Sequence, residues 1–320
     1  MRVDRKVSVT PEVEIWGSVF GGHEITREVS FAGEGIGILG RLEDPDRFVG
    51  PSSYGAVINF GDMCVQEGMR GYMVPESEQW SKDNPPPDGV TILGFENEKV
   101  QSWVDEISGI ASTDFYSDEE KCRRYYELNK EVFRAIAQHS GVNLQDVKFL
   151  GLIRAGAVAG EMLGIPLSEQ ALIQTKRLHI KGERGGDISI GVTHHDLGKI
   201  GELDGKVWLI ADPAGATLSS IEAVLIDCLQ RGAKPSKVII WNTVISHQGA
   251  RFAIDAIRSL GIDVEIVAGG YAPGMNGNYY LETPKGTPSV GDAGDGLNNL
   301  LPAGLRLSGV VQGNGFRANL

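Results

Sequence analysis

The chain has 320 residues, 41% of them hydrophobic and 22% charged, and a formal net charge of −12. No run approaches the roughly 18 apolar residues that a membrane span needs, and so acidic a chain excludes a broad nucleic-acid surface, so an anionic ligand must be met by a local cluster of donors. Three widely spaced cysteines, Cys64, Cys122 and Cys228, fit neither a disulfide framework nor a zinc site, and the first residues, MRVDRKVSVTPEVEIWG, lack the apolar core of a secretory signal. A reduced, cytoplasmic residence is the expectation.

Up to about residue 110, short apolar or alternating pieces (Val13 to Phe20, Ile36 to Leu39, Ala56 to Phe60, Val90 to Phe95) are split by Gly, Pro and Asp. This predicts short strands and turns, a β-rich portion with long loops, of which 81–89 (SKDNPPPDG) is the clearest breaker. It holds no catalytic constellation. His23-Glu24 is a lone adjacent pair of the kind that sits on a solvated edge. From Ser112 the pattern changes. Ser117-Asp118-Glu119-Glu120 reads as a helix start, with a stripe of Tyr125, Leu128, Val132, Phe133 and Ile136 and a stop at Gly141. Phe149 to Ile153 reads as a buried strand, followed by Arg154-Ala155-Gly156 and a helix of small residues from Ala157 to Leu163. Ala171 to Gln174 reads as another strand. The polar stretch Thr175 to Ile200 gathers Lys176, Arg177, Lys181 and Arg184 in an otherwise acidic chain. It reads as a basic mobile flap that closes over an anion, or as a solvated hairpin using Ile188 to Val192. His194 and His195 are adjacent, so an extended backbone points them apart and they do not chelate one metal together.

The stretch around which the rest is organised is Val207 to Ser220, VWLIADPAGATLSS. An apolar run, Val207 to Ala211, reads as a strand buried on both faces. Asp212 follows where it emerges, then a turn of small and hydroxylated residues, then a helix with Ile221, Val224, Leu225 and Leu229 on one face and Gly232 at its end. Backbone N–H groups at a helix start, the helix dipole and the Thr217, Ser219 and Ser220 hydroxyls together make an anion site. A carboxylate beside a phosphate makes sense if it holds sugar hydroxyls or an accompanying Mg²⁺. The same pattern also fits a plain connection in which Asp212 is exposed and Thr217 only caps the helix. Beyond it, Val238 to Asn242 and Val264 to Ala268 read as strands and Ala250 to Leu260 as a helix, with turns at 246–249 and at Gly269-Gly270. The alternation predicts an α/β fold, a mostly parallel sheet with helices on both faces, in which ligands bind beyond the carboxyl ends of the strands.

Val207 to Ser220 resembles the phosphoribosyl pyrophosphate (PRPP) loop of type I phosphoribosyltransferases, and Asp212-Pro213 followed by Ala216-Thr217 is similar to the version in uracil phosphoribosyltransferases. In the same order, 151–156 (GLIRAG) resembles that family's pyrophosphate loop and 291–295 (GDAGD) its C-terminal motif beside the base pocket. The resemblance covers about residues 112 to 310. It divides the chain into a β-rich N-terminal extension without a recognised counterpart, 1–111, and a phosphoribosyltransferase-like domain, 112–320. The departures lie at Leu218 and Ser219, where the family has glycines, at 246–249 in place of Pro-Glu-Gly, in a longer segment Glu282 to Val290, and at Gly296 in place of a basic residue.

The resemblance implies transfer of a 5-phosphoribosyl group from PRPP to a ring nitrogen of uracil or a related small heterocycle, with release of pyrophosphate. Asp212 would hold the ribose hydroxyls and steady an oxocarbenium-like transition state. Thr217, Ser219 and Ser220, with the amides of Ala214, Gly215, Ala216, Thr217 and Leu218, would take the 5′-phosphate. Arg154 and the amides of Ala155 and Gly156 would meet pyrophosphate, and Arg177, with Lys176 as a substitute, would close from the flap. The base would lie against Tyr280 or Leu281 and bond near Gly291, Asp292 and Ala293. Asp292 and Asp295 also fit plain turn acids. Mg²⁺ would ride on PRPP, with no dedicated protein metal site, and a homodimer or higher homo-oligomer is the family's habit. Leu218 raises a second reading, a protein that senses PRPP or a nucleotide on the same fold without catalysis.

Overall fold

The computed structural model describes residues 4–10, 13–18, 28–30, 57–58, 73–113, 115, 118–153, 155–181, 187–195, 201–230, 232–275, 280–283, 285 and 289–291; of 4–58, 167, 174, 176–181, 187–195, 201, 226 and 230 only the backbone is described. In chain order the elements are β1 (Asp4–Thr10), β2 (Val13–Ser18), β3 (Glu28–Ser30), β4 (Val57–Ile58), β5 (Val90–Ile92), α1 (Glu98–Ala111), α2 (Glu119–Ser140), β6 (Lys148–Ile153), α3 (Ala155–Met162), β7 (Ala171–Lys181), β8 (Asp187–His195), β9 (Val207–Gly215), α4 (Ser219–Gln230), β10 (Lys237–Ser246), α5 (His247–Ser259), β11 (Asp263–Ala272), β12 (Gly274–Met275) and β13 (Leu281–Glu282).

Six strands run parallel in the order β7-β6-β9-β10-β11-β5. This is the α/β architecture expected from the alternation of apolar runs and amphipathic helices. One face is covered by α4 and α5, through Ile221, Val224, Leu225, Ala253, Ile254 and Ile257. The other is covered by α1, α2 and α3, through Val104, Ile107, Leu128, Val132, Ala157 and Val158. Strands sandwiched this way read as continuous apolar runs, which is why β9 and β10 were legible. Beyond β7 the sheet turns antiparallel, through β8, which β4 joins, and through β3, which pairs with β1 of the β1–β2 hairpin.

Helix α2 follows the residues directly. The Asp118 carboxylate accepts from the Glu120 and Lys121 amides, the stripe is buried, and Gly141 closes the helix with φ 60°. Helix α1 was not expected. The portion up to about 110 read as strands and turns, yet Asn97 caps a 14-residue helix whose Val100, Val104, Ile107 and Ala111 are buried. Its four-three-four spacing was present in the sequence, but the breakers upstream dominated the reading. The expected division at 111/112 falls between α1 and α2, which pack on each other. The strand expected over 90–95 is three residues followed by a 3₁₀ turn, Leu93–Phe95. The one expected over 36–39 lies outside the described residues.

Three further expectations need correction. The strand before the anion loop does not end at Ala211 but continues in register to Gly215. The turn at 246–249 is no turn: α5 begins at His247, and Ser246 is its cap, its hydroxyl accepting from the Gly249 amide at 2.8 Å. Gly269-Gly270 is likewise no turn but part of β11. These glycines serve close packing instead. A Cβ at Gly269 would collide with Val132, and one at Gly270 would stand 2.5 Å from Val104 Cγ1, so the pair lets α2 and α1 approach the sheet. No helix among the described residues is long and apolar enough to cross a membrane.

Candidate functional site

The chain leaves β6 to build β7 on one side and returns to build β9 on the other. The connection after β6 enters α3 on one face of the sheet, and the connection after β9 enters α4 on the opposite face. Diverging helices open a crevice at the carboxyl edge between β6 and β9, where open α/β sheets take their ligands. The expected pyrophosphate segment and the expected phosphate loop line this crevice. They touch at its floor: a Cβ on Gly156 would stand 2.8 Å from the Ala211 carbonyl oxygen, one residue before Asp212. Only glycine lets the first turn of α3 come so close to β9.

Along the end of β9, burial alternates. Pro213 and Gly215 are buried, while Asp212, Ala214 and Ala216 are half-buried. The pleat therefore puts the Asp212 carboxylate on the more open side of the loop. Its Oδ1 accepts from the Ala214 amide at 3.1 Å, which fixes the carboxylate against the turn. Ser219 is fully buried and donates to Thr217 Oγ1 at 2.6 Å, leaving Thr217 and Ser220 as the half-buried hydroxyls of the cradle. Helix α4 then starts, with the Ile221 and Glu222 amides bonding to the Leu218 carbonyl.

Leu218 has φ 57° and is the only non-glycine residue with positive φ among the described residues. That conformation costs a branched side chain about 1–2 kcal/mol and costs glycine nothing, which accounts for the glycine at this place in related loops. The side chain is buried in the apolar cluster beneath α4 and does not narrow the cradle. Burial offsets the strain. Leu218→Ala is expected to lose about 2–3 kcal/mol of stability in urea denaturation, since it keeps the strained backbone and empties the site. A loss below about 0.5 kcal/mol would mean the side chain is not packed as described.

The rest of the expected site is partly placed. Ala155 and Gly156 form the first turn of α3, and Arg154 lies outside the described residues. Lys176 and Arg177 sit in β7, opposite Gly191 and Ile190 of β8, so the basic segment is an antiparallel hairpin of the sheet; their side chains lie outside the described residues. On the base side, Leu281 is 3% exposed and part of the core, while Tyr280 is 38% exposed, the opposed orientation that adjacent extended residues require. Gly291 has φ 65°, and the residue before it is anchored, the Val290 carbonyl accepting from Tyr125 Oη at 2.7 Å. Asp292, Ala293, Asp295 and Tyr279 lie outside the described residues. Ala155, Ala214, Ala216, Leu281 and Val290 all belong to one apolar cluster, so the two ends of the expected site share a core.

Residues not foreseen complete the picture. Trp80 stacks on His247 at 4.3 Å, and His247 Nδ1 lies 3.1 Å from Tyr271 Oη. Burial and then Arg251 hold His247 well below its usual range, at about 4, and burial raises Tyr271 to about 12. Glu222, in the first turn of α4, is raised to about 8 by burial, and its Oε2 has no hydrogen-bond partner.

No family model matches the chain. A uracil phosphoribosyltransferase from Methanothermobacter thermautotrophicus is 29% identical over 170 residues, 52% of this chain and 70% of that protein. Among solved structures, the AQ2163 protein of Aquifex aeolicus is 18% identical, covering 65% of this chain and 97% of that one with a TM-score of 0.47. The orotate phosphoribosyltransferase of Mycobacterium tuberculosis in complex with PRPP is 12% identical, covering 55% and 92% with a TM-score of 0.32. With its motifs in the order of the type I phosphoribosyltransferases and a curated relative aligned over 52% of its length, the chain is similar to uracil phosphoribosyltransferase and divergent from it.

Proposed function

We propose that the protein transfers the 5-phosphoribosyl group of PRPP to a ring nitrogen of uracil or a related small heterocycle, releasing pyrophosphate. The observation that carries this reading is the end of β9, where a half-buried carboxylate is followed at once by a hydroxyl-lined cradle and the start of a 12-residue helix. A phosphate alone has no use for Asp212, whereas a phosphorylated sugar uses both halves. Thr217 and Ser220, with the amides of Thr217 and Leu218, take the 5′-phosphate, and Ser219 holds Thr217 in place, while the Ala214 amide is held by Asp212 and the Ala216 amide by the Ala214 carbonyl. Asp212 binds the ribose hydroxyls and offsets the positive charge that develops as the glycosidic bond breaks. Ala155, Gly156 and Arg154 receive the leaving pyrophosphate, and Lys176 and Arg177 close on it from the β7–β8 hairpin. Mg²⁺ carried by PRPP would supply charge neutralisation at the leaving group, beside Arg154, Lys176 and Arg177. The acceptor lies against Tyr280, with Gly291, Asp292 and Ala293 bonding its polar edge. Leu281 supports this wall from the core.

The uracil-class acceptor rests on the Asp212-Pro213-Ala214-Gly215-Ala216-Thr217 loop and on the Methanothermobacter relative. The test is incubation with PRPP, Mg²⁺ and a panel of pyrimidine and purine bases, reading pyrophosphate release. Turnover is expected with uracil or a close analogue. Binding of PRPP without release for any base would favour the sensing alternative. The crowding by Leu218 that motivated that alternative is absent, because the side chain packs in the core.

A further inference from the structure

Resting on that reading, we propose that Asn242 and Ser246 of β10 are positioning residues that grip the phosphate loop at its two ends and so set the affinity for the phosphorylated sugar. Neither residue was given a role from the sequence, although Ser246 opens the 246–249 stretch that departs from the family's pattern. Both are fully buried, so neither is a surface polar residue that the fold merely tolerates. Asn242 stands opposite Asp212 in the β9–β10 register, and its Nδ2 donates to the Asp212 carbonyl at 2.7 Å. Its amide also underlies Gly215: a Cβ there would come within 2.8–2.9 Å of Asn242 Cγ, Nδ2 and Oδ1. At the other end, Ser246 Oγ donates to the Ala216 carbonyl at 2.5 Å while accepting from the Gly249 amide. Gly249 is itself pressed against the loop, since a Cβ there would collide with the Ala216 carbonyl oxygen.

The loop from Asp212 to Ala216 is thus bonded to its neighbouring strand by two side chains, one before and one after the bend. Both side chains engage backbone carbonyls, while the Ala214 amide bonds the Asp212 carboxylate and the Ala216 amide the Ala214 carbonyl, so the bend is fixed from both sides. A buried asparagine in the middle of a six-stranded apolar sheet is costly, and here the cost is not fully met within the fold: Asn242 Oδ1 is buried without a hydrogen-bond partner. A side chain that served stability alone would be better replaced by an apolar one of the same size. Retaining the amide is explained by what it holds, the backbone that presents the Asp212 carboxylate and the first amides of the cradle. Neither residue touches the ligand; each acts through the loop.

The test uses the full chain, with binding of PRPP–Mg²⁺, ribose 5-phosphate and pyrophosphate measured by calorimetry for wild type, Asn242→Val and Ser246→Ala. Each variant is expected to bind PRPP and ribose 5-phosphate about tenfold more weakly, the effect of one buried hydrogen bond, with pyrophosphate affinity unchanged because that end is held by α3. In steady state the change should appear in KM for PRPP more than in kcat. A general loss of structure would weaken pyrophosphate to the same degree. Gly215→Ala supplies an independent check: it should weaken PRPP binding in the wild-type background and be tolerated beside Asn242→Ala, which vacates the space. If Asn242→Val does not fold, Asn242→Ser and Ser246→Ala carry the comparison. PRPP affinity within about twofold of wild type for the folded variants, or equal losses for PRPP and pyrophosphate, overturns the proposal. A wild-type protein that binds neither PRPP nor ribose 5-phosphate overturns the functional reading itself, a separate outcome.

Discussion

Asp212→Asn is expected to lower kcat for phosphoribosyl transfer by a factor of about 10²–10³, with PRPP affinity changed by less than about tenfold. The substitution is nearly isosteric. The side-chain oxygen that accepts from the Ala214 amide at 3.1 Å is retained, so the bend after β9 keeps its geometry. Amide oxygens also still bond ribose hydroxyls. What disappears is a full negative charge, held by the strand end at the place where the sugar becomes electron-poor. Such a charge matters more in the transition state than in the bound ground state, so the loss falls on turnover rather than on binding. Pyrophosphate release under saturating PRPP, beside a calorimetric Kd, separates the two. Turnover within about threefold of wild type would remove Asp212 from the chemistry. A large loss of binding with no change in turnover would recast it as a simple ligand for the sugar.

The second large effect concerns stability and pH. Glu222 lies in the first turn of α4 directly after the phosphate cradle, and burial raises its carboxyl from 4.5 to about 8. The folded protein therefore keeps Glu222 protonated at neutral pH, whereas the unfolded chain loses that proton above 4.5. Stability contributed by this group falls as pH rises from about 4.5 to about 8. His247 acts in the opposite sense. Burial, and then Arg251, lower it from 6.5 to about 4, so the unfolded chain binds a proton below 6.5 that the folded protein refuses, and stability falls as pH drops through that range. The two slopes oppose each other between 4.5 and 6.5, and only the Glu222 loss remains from 6.5 to 8. Glu222→Gln is expected to stabilise the protein at pH 8 by on the order of 3 kcal/mol, the buried amide offsetting part of the gain. It should also turn the decline between pH 6.5 and 8 into a plateau. Urea denaturation of both proteins across this range checks it. Parallel pH curves for wild type and variant would show that Glu222 is ionised in the folded protein.

The sequence by itself determined the parallel sheet. Buried parallel strands must be continuous apolar runs, so β6, β9, β10 and β11 announced themselves. Helix α2 did so through Asp118, its stripe and Gly141. The strand–carboxylate–hydroxyl–helix order around Asp212 and Thr217 was equally local, because the groups that would bind phosphate and ribose lie within nine residues, from Asp212 to Ser220. Tertiary structure decided the rest. Gly269-Gly270 reads as a turn in any one-dimensional scan, yet it stays in β11 because Val104 and Val132 leave no room for a Cβ. From the sequence Leu218 could narrow the cradle or point into the core, and only the fold shows its side chain directed into the core. Asn242 carries no motif; its place against Asp212 follows from the register of two strands 30 residues apart. Local chemistry is written in neighbouring residues. Which side chains meet across a sheet is settled by register and packing, and these join residues that the sequence keeps apart.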